Sequence, residues 1–372
     1  MRRPIMQPQS ALSRVGRLHT RTAWMILVAL AVLALIVVPV LNLVVPPEHP
    51  LYMPGWMVTL AGRFLCLALV ALALDLIWGY TGILSLGHGV FFAMGGYVMG
   101  AHLTRVAYDD GRLPNFLQWL DYTEWPWYWA GFDSFLFTLA MIALVPGVLA
   151  FIFGFLAFRS RVRGVYFAII TQALTFGGMH LFFRTETGFG GDTGLTNFDT
   201  LLGFELGTPG ARLGLFWASA ATLIIAYLLC RWIVTSKLGR VMTAIRDAET
   251  RLRFTGYDPL RYKLFVWVVS AVLCGVAGAL YVPQTGVINP SEMAPPASIE
   301  MAIWVALGGR GTLVGAIAGA GIVNVVKTWA TSAYPDLWLY ILGAMFIGVT
   351  LFLPKGVVGI LGMLRRRREG ES

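Results

Sequence analysis

TSKLGRVMTAIRDAETRLRFTGYDPLRYK, residues 235–263, is the long polar segment of a chain that otherwise reads as one apolar run after another. It carries seven Lys or Arg and three acids. Helical character extends to Phe254, and Gly256 stands where a helix should stop, ahead of Tyr257, Asp258 and Pro259. Ala244, Ile245, Ala248 and Leu252 fall at helical spacing on one face, while Arg246, Asp247, Glu249, Arg251 and Arg253 project elsewhere. An apolar ridge can enter a groove and flanking charges can fix its orientation, so the segment is expected to dock on a partner chain. A basic interfacial helix on anionic lipid is the alternative, but that needs no acids, and Asp247 and Glu249 favour docking.

On either side of this segment the composition is that of a membrane protein. Of 372 residues, 57% are hydrophobic and 13% charged, and the mean hydropathy is +0.71, which leaves too little polar surface to cover a soluble domain of this length. Residues 23–45 are interrupted only by Pro39 and Asn42. At about 1.5 Å per residue they reach roughly 34 Å, enough to cross the hydrocarbon core. That run is too long for a signal peptide and no A-x-A-like site follows it, so it reads as an uncleaved first helix.

Further spans are expected at 57–78, 86–107, 133–158, 164–183, 213–234, 264–283, 297–308 (a short piece), 312–330 and 335–353. The fold class is therefore all-α and polytopic, with about ten membrane helices including broken or re-entrant segments. The membrane domain is expected over 23–354, between basic tails at 1–22 and 355–372. Within it lie an aromatic insert at 108–132, a loop at 184–212 and the polar loop at 235–263. The side holding both tails and the polar loop carries 21 basic residues against five acids, and the opposite loops 13 acids against four Arg. The positive-inside rule then makes both termini cytoplasmic. A net charge of +9 is thus an orientation signal, and no nucleic-acid partner is needed to explain it.

Enzyme classes find little support. Cys66, Cys230 and Cys274 all fall inside expected spans without CxxC spacing, the histidines are scattered, and H-E-x-x-H and nucleophile-elbow motifs are absent. No metal site and no cofactor is expected. The chain also lacks G-x-x-x-x-G-K-[ST], so nucleotide-driven work requires another polypeptide.

Glycine is concentrated in three tracts, GYTGILSLGHG (79–89), GFGGDTGLT (188–196) and GGRGTLVGAIAGA (308–320). Irregular backbone in a bilayer is tolerated only inside protein or along a water-filled cavity, so the first and third suggest broken helices beside a pathway. Close packing of small residues is the competing explanation. Polar residues at membrane depth give the candidate pathway: Ser85, His88, Tyr166, Thr171, Gln172, Thr175 and Asn324, with Asp75 the one convincingly buried acid. Thr171 and Thr175 share a helix face, where ordinary interhelical hydrogen bonds are an equal alternative, and His88 is more often a satisfied packing residue than a gate.

In this order and spacing, GYTGILSLGHGVFFAMGGY, RVRGVYFAIITQAL, GFGGDTGLT, the polar segment with LFVW after it, GALY and GGRGTLVGAIAGA resemble the membrane permeases of branched-chain amino acid ABC importers, over roughly residues 60–360. The Trp-rich insert FLQWLDYTEWPWYWAGFDSF and the ending TLFLPKGVVGIL are similar to the larger permease type of urea importers. The resemblance implies a bacterial inner-membrane assembly with a second related permease, two cytoplasmic ABC ATPases and a periplasmic substrate-binding protein. It assigns Ala244, Arg246, Asp247, Glu249, Arg251, Phe254 and Gly256 to ATPase coupling. Urea is the expected substrate, being neutral where the pathway is poor in fixed charge. A branched-chain amino acid or short amide is the alternative ligand, and an ATP-independent channel or carrier the alternative class. The Trp residues of the insert suit either receipt of the delivery protein or a belt at lipid headgroup depth.

Overall fold

A computed structural model of the chain describes residues 32, 36–43, 45–46, 48–49, 51–108, 112–162, 164–352 and 356–357. The tails expected at 1–22 and 355–372 lie almost entirely outside these residues, as does most of the span expected at 23–45. The chain divides into two units, Met1–Pro54 and Gly55–Ser372. In the first, α1 (Val38–Leu43) is tied by Asn42, whose Nδ2 donates to Met53 O at 2.7 Å.

The second unit is helical. It is built from α2 (Gly55–Thr81), α3 (His88–Ala107), the short α4 (Asn115–Gln118), α5 (Phe135–Arg159), α6 (Val165–Phe183), α7 (Pro209–Thr235), α8 (Lys237–Phe254), α9 (Pro259–Thr285), α10 (Pro295–Gly308), α11 (Val314–Ala333) and α12 (Trp338–Phe352). Among the described residues, α2, α5, α6, α7, α9 and α11 are long and apolar enough to cross a membrane. The ends follow local chemistry: Ser134, Thr208 and Asp258 cap α5, α7 and α9, with Pro at the first position of the last two. Gly286, at φ +75°, closes α9.

At the centre stands α2, apolar on every side and fully buried over Val70–Ile77, packed by α7, α9 and α11. Helix α3 lies along α9 so closely that side chains on Gly95 and Gly278 would collide with the partner backbone. Helix α9 in turn packs on α5, where Gly275 meets Pro146.

The short piece expected at 297–308 is half of a crossing. Arg63, near the start of α2, donates from Nε and Nη2 to Gln284 O at 3.0 and 2.6 Å, which places the end of α9 beside it. Gly311 packs against Gly79, near the other end of α2. Arg63 and Gly79 are sixteen helical residues apart, or about 24 Å. Between 286 and 311 the chain therefore travels the length of the bundle, first as extended backbone and a single turn at Pro290–Met293, then as α10. At about 21 Å, α10 is too short to span alone.

At the Arg63 end of the bundle, β1 (Leu195–Thr196) pairs antiparallel with β4 (Val287–Ile288). A hairpin joins β2 (Thr200–Leu201) to β3 (Phe204–Glu205), its two turn residues Leu202 and Gly203 both at positive φ. The second glycine tract serves this region: Gly188, Gly190, Gly191 and Gly194 all have positive φ, and Gly194 abuts the backbone of Ile288.

Candidate functional site

The polar segment folds as α8, begun by Ser236, whose Oγ accepts from Leu238 N at 3.1 Å. It is not one continuous helix, because Ala248 has φ −160° and ψ 66°. This breaks the face expected to run through Ala244, Ile245, Ala248 and Leu252. The buried face is Gly239, Met242, Thr243 and Ile245, all before the kink. Gly239 is required there, since any side chain would collide with Val234 O.

The charges expected to project outward divide in two. Arg246 turns inward: its Nη1 donates to Gly79 O at 2.8 Å while its Nε meets Asp247 Oδ1 at 3.0 Å. Glu249 is likewise committed within the chain, to Arg253 at 3.0 Å and to the buried Lys263 of α9 at 2.8 Å. Pairing and packing hold these two against the bundle, where the helical spacing had them projecting outward. Asp247, Arg251, Phe254 (89% exposed) and Tyr257 remain outward. Gly256 has φ +84° with nothing near its missing side chain, so the turn itself, and not crowding, selects glycine.

Gly79 is where three segments meet. Its carbonyl takes Arg246 of α8, and a Cβ on it would lie 2.5 Å from Gly311 N. One turn earlier Asp75, fully buried, accepts Gly311 N at 2.6 Å and Leu313 N at 2.9 Å. The carboxylate thus completes the backbone of the 309–313 loop, in which Gly309, Gly311 and Leu313 all have positive φ. Arg310 lies over the Trp78 ring, 5.4 Å from its centroid. Past the loop, Gly308, Gly315 and Gly319 permit α10 and α11 to touch backbone to backbone. The third tract is therefore both a break and a close-packed seam, so the two readings of it are not exclusive.

The first tract is a second break. After Thr81 the chain turns back into the bundle through 82–87, and α3 begins at His88 beside the middle of α2. His88 Nε2 lies 2.8 Å from Ser270 Oγ, whose own hydroxyl donates to Ala73 O at 2.5 Å. With that proton committed, Ser270 accepts from Nε2–H, and His88 Nδ1 accepts from Ser85 Oγ at 3.1 Å. Ser85 Oγ in turn accepts Gly87 N at 3.1 Å. Thr171 and Thr175 bracket the same loop: Thr171 Oγ1 accepts Leu86 N, and Thr175 Oγ1 donates to Leu86 O, both at 3.1 Å. Ser85, His88, Thr171 and Thr175 thus converge as the hydrogen-bonded wall of this break.

The other expected pathway residues stand apart. Tyr166 is 75% exposed on α6, and Asn324 Nδ2 returns to Ala320 O at 2.8 Å within α11. Gln172 keeps both amide atoms buried and without a partner among the described residues.

A Cβ on Gly89 would meet Ser298 Oγ at 2.8 Å and Glu292 O at 3.1 Å, so the starts of α3 and α10 adjoin. Sequence reasoning missed the charge at this place. Glu300, counted among the opposite-side acids, is 4% exposed and pairs with Lys327 Nζ at 2.8 Å. Asp75 is therefore not the one buried acid.

At the Arg63 end, the aromatic insert is partly core. Trp129 is fully buried and stacks on Phe189 of the second glycine tract, and Trp125 lies under Arg105. Arg105 binds Asp133 through two hydrogen bonds, of 2.7 and 2.9 Å, and holds that carboxyl below the ordinary carboxylate range. Trp119 and Trp127 remain exposed, at 83% and 86%. Among the described residues no group of three or more His, Cys, Asp and Glu is placed to hold a metal ion.

The family of branched-chain amino acid transport system permease components matches residues 56–350. The chain is 25% identical to the high-affinity branched-chain amino acid transport system permease protein LivM of Salmonella typhimurium, over 89% of this chain and 76% of that protein. It is 23% identical to BraD of Pseudomonas aeruginosa, a permease protein of the same description, over 78% of this chain and 91% of the relative. A shorter match, 28% identical over 37% of this chain and 45% of the relative, is to LivH of Salmonella typhimurium, also a permease protein of that description. No solved structure matches.

Proposed function

Because the chain belongs to the branched-chain amino acid transport permease family, we propose that it forms one half of the translocation path of an ATP-driven importer of branched-chain amino acids. What carries the reading is the match over residues 56–350, the whole helical body from α2 almost to the end of α12. The urea expectation rested on the insert and the chain ending, and none of the reported relatives is named for urea. An amino acid brings two charges, which the expected pathway was too poor in fixed charge to match. The Glu300–Lys327 pair near the start of α10, with its carboxylate buried, weakens that objection.

Two permease proteins of one transport system, LivM and LivH, resemble this chain in a single organism, which supports a second permease as partner. The missing P-loop supports separate ATPases, and α8 with the turn after it offers them Phe254, Tyr257, Asp247 and Arg251. Their side would be the cytoplasm, and the Arg63 end with its exposed Trp119 and Trp127 would receive a periplasmic binding protein. A push on α8 reaches the 309–313 loop through Arg246, Gly79 and Asp75, by hydrogen bonds of 2.6–2.9 Å.

Uptake in cells tests the substrate. Labelled leucine uptake should depend on the gene and resist competition by excess urea. Gene-dependent urea uptake, with leucine uptake unaltered by deletion, would return the assignment to the urea branch. Saturable uptake by the lone subunit in vesicles would instead favour a carrier or channel.

A further inference from the structure

A cavity of about 550 Å³ opens at the Arg63 end of the bundle, between α2, α7, α9 and α11. Arg63 and Arg212 both line it, with Thr59, Thr285 and Thr328, and Trp56 (62% exposed) stands at its edge. No Asp or Glu lines it. Arg63 gives Nε and Nη2 to the carbonyl of Gln284, so a neutral group answers its charge. Arg212 has no hydrogen-bond or ion-pair partner for its guanidinium among the described residues. It also sits in the first turn of α7, where the helix dipole disfavours a cation and no acid compensates. The opposite loops are acidic overall, yet none of those acids reaches this cavity.

Two cations with no counter-charge, in a half-open cavity with an apolar wall of Leu60 and Phe198, are the complement of an amphipathic anion, while the lining threonine hydroxyls are committed as donors to their own helices. We propose that this cavity binds an oxyanion through Arg212, with Arg63 as a second, fixed positive charge. Arginine presents several N–H donors in a planar fork that matches a carboxylate or a phosphate, and a chain of several carbons fits beside it. Two sources supply that chemistry: the carboxylate of an arriving amino acid, or the phosphate of a phospholipid. Only the first rests on the amino acid reading above.

The complete transporter, as wild type, Arg212→Gln and Arg212→Lys, is tested in two arms. In liposomes, labelled leucine uptake is measured for KM and maximal rate. In nanodiscs of mixed phosphatidylglycerol and uncharged digalactosyl lipid, native mass spectrometry reads which lipid stays bound. With a carboxylate as ligand, Arg212→Gln raises the KM for leucine at least about tenfold and leaves the maximal rate in place, while Arg212→Lys recovers part of the loss. With a phospholipid as ligand, KM is unmoved and Arg212→Gln loses retained phosphatidylglycerol. If Arg212→Gln changes neither quantity, the proposal is overturned. A wild type that carries no leucine refutes the substrate reading instead, and the lipid arm then decides this one alone.

Discussion

Asp75 shows how much one buried group can hold. Its two carboxylate oxygens take the backbone N–H groups of Gly311 and Leu313, which no helix could satisfy because the loop between α10 and α11 is irregular there. Asp75→Asn replaces one acceptor by a donor facing a donor, and should destabilise the protein by about 1–3 kcal/mol. Thermal unfolding of the purified subunit checks this, and an unchanged midpoint would contradict it. The acids of α8 should part company in the same assay. Glu249→Arg sets like charges against Arg253 and Lys263 and should lower stability, whereas Asp247→Arg, on a half-exposed side chain, should unfold like wild type. Equal midpoints for the two variants would mean that the Glu249 pairs contribute nothing. These assignments were beyond the sequence for a physical reason. Glu249 and Lys263 are separated by the turn between α8 and α9, and Glu300 and Lys327 by a helical hairpin, so neither pair shows as a spacing on one helix.

At the scale of elements, apolar runs of near-bilayer length were legible, since hydropathy and length alone define them: the spans expected at 57–78, 133–158, 164–183, 213–234, 264–283 and 312–330 correspond to α2, α5, α6, α7, α9 and α11. The glycine tracts announced both breaks. What they could not announce was the direction of the chain afterwards, because return to mid-bundle at 82–87 depends on hydroxyls from α6 and α9, far away in sequence. The kink at Ala248 also left no trace, since alanine is a good helix former and only tertiary packing breaks the helix there. Gly256 is the converse case, a turn residue legible from its position. At φ +84°, a valine there should cost on the order of 1–2 kcal/mol in backbone strain without any clash, as the space around it is open. Gly256→Val should therefore keep near-normal expression and lose transport. Uptake at wild-type rates would show that the exit from α8 tolerates another path.

For the whole molecule, the class and the family were readable and the substrate was not. Composition, charge asymmetry and ordered motifs act along the entire chain, while a solute meets a few polar groups whose convergence is three-dimensional. The central claim is that work done at α8 reaches the broken crossings through the contact of Arg246 with Gly79, where the coupling segment and both glycine-rich breaks come together. The most direct measurement is the ratio of leucine carried to ATP hydrolysed by the complete transporter in liposomes, for wild type and Arg246→Ala. The account predicts that Arg246→Ala assembles with its ATPases and hydrolyses ATP at a comparable rate while uptake falls at least about tenfold, since a charge-assisted hydrogen bond that transmits the motion is gone. An unchanged ratio in a fully assembled Arg246→Ala complex would contradict it.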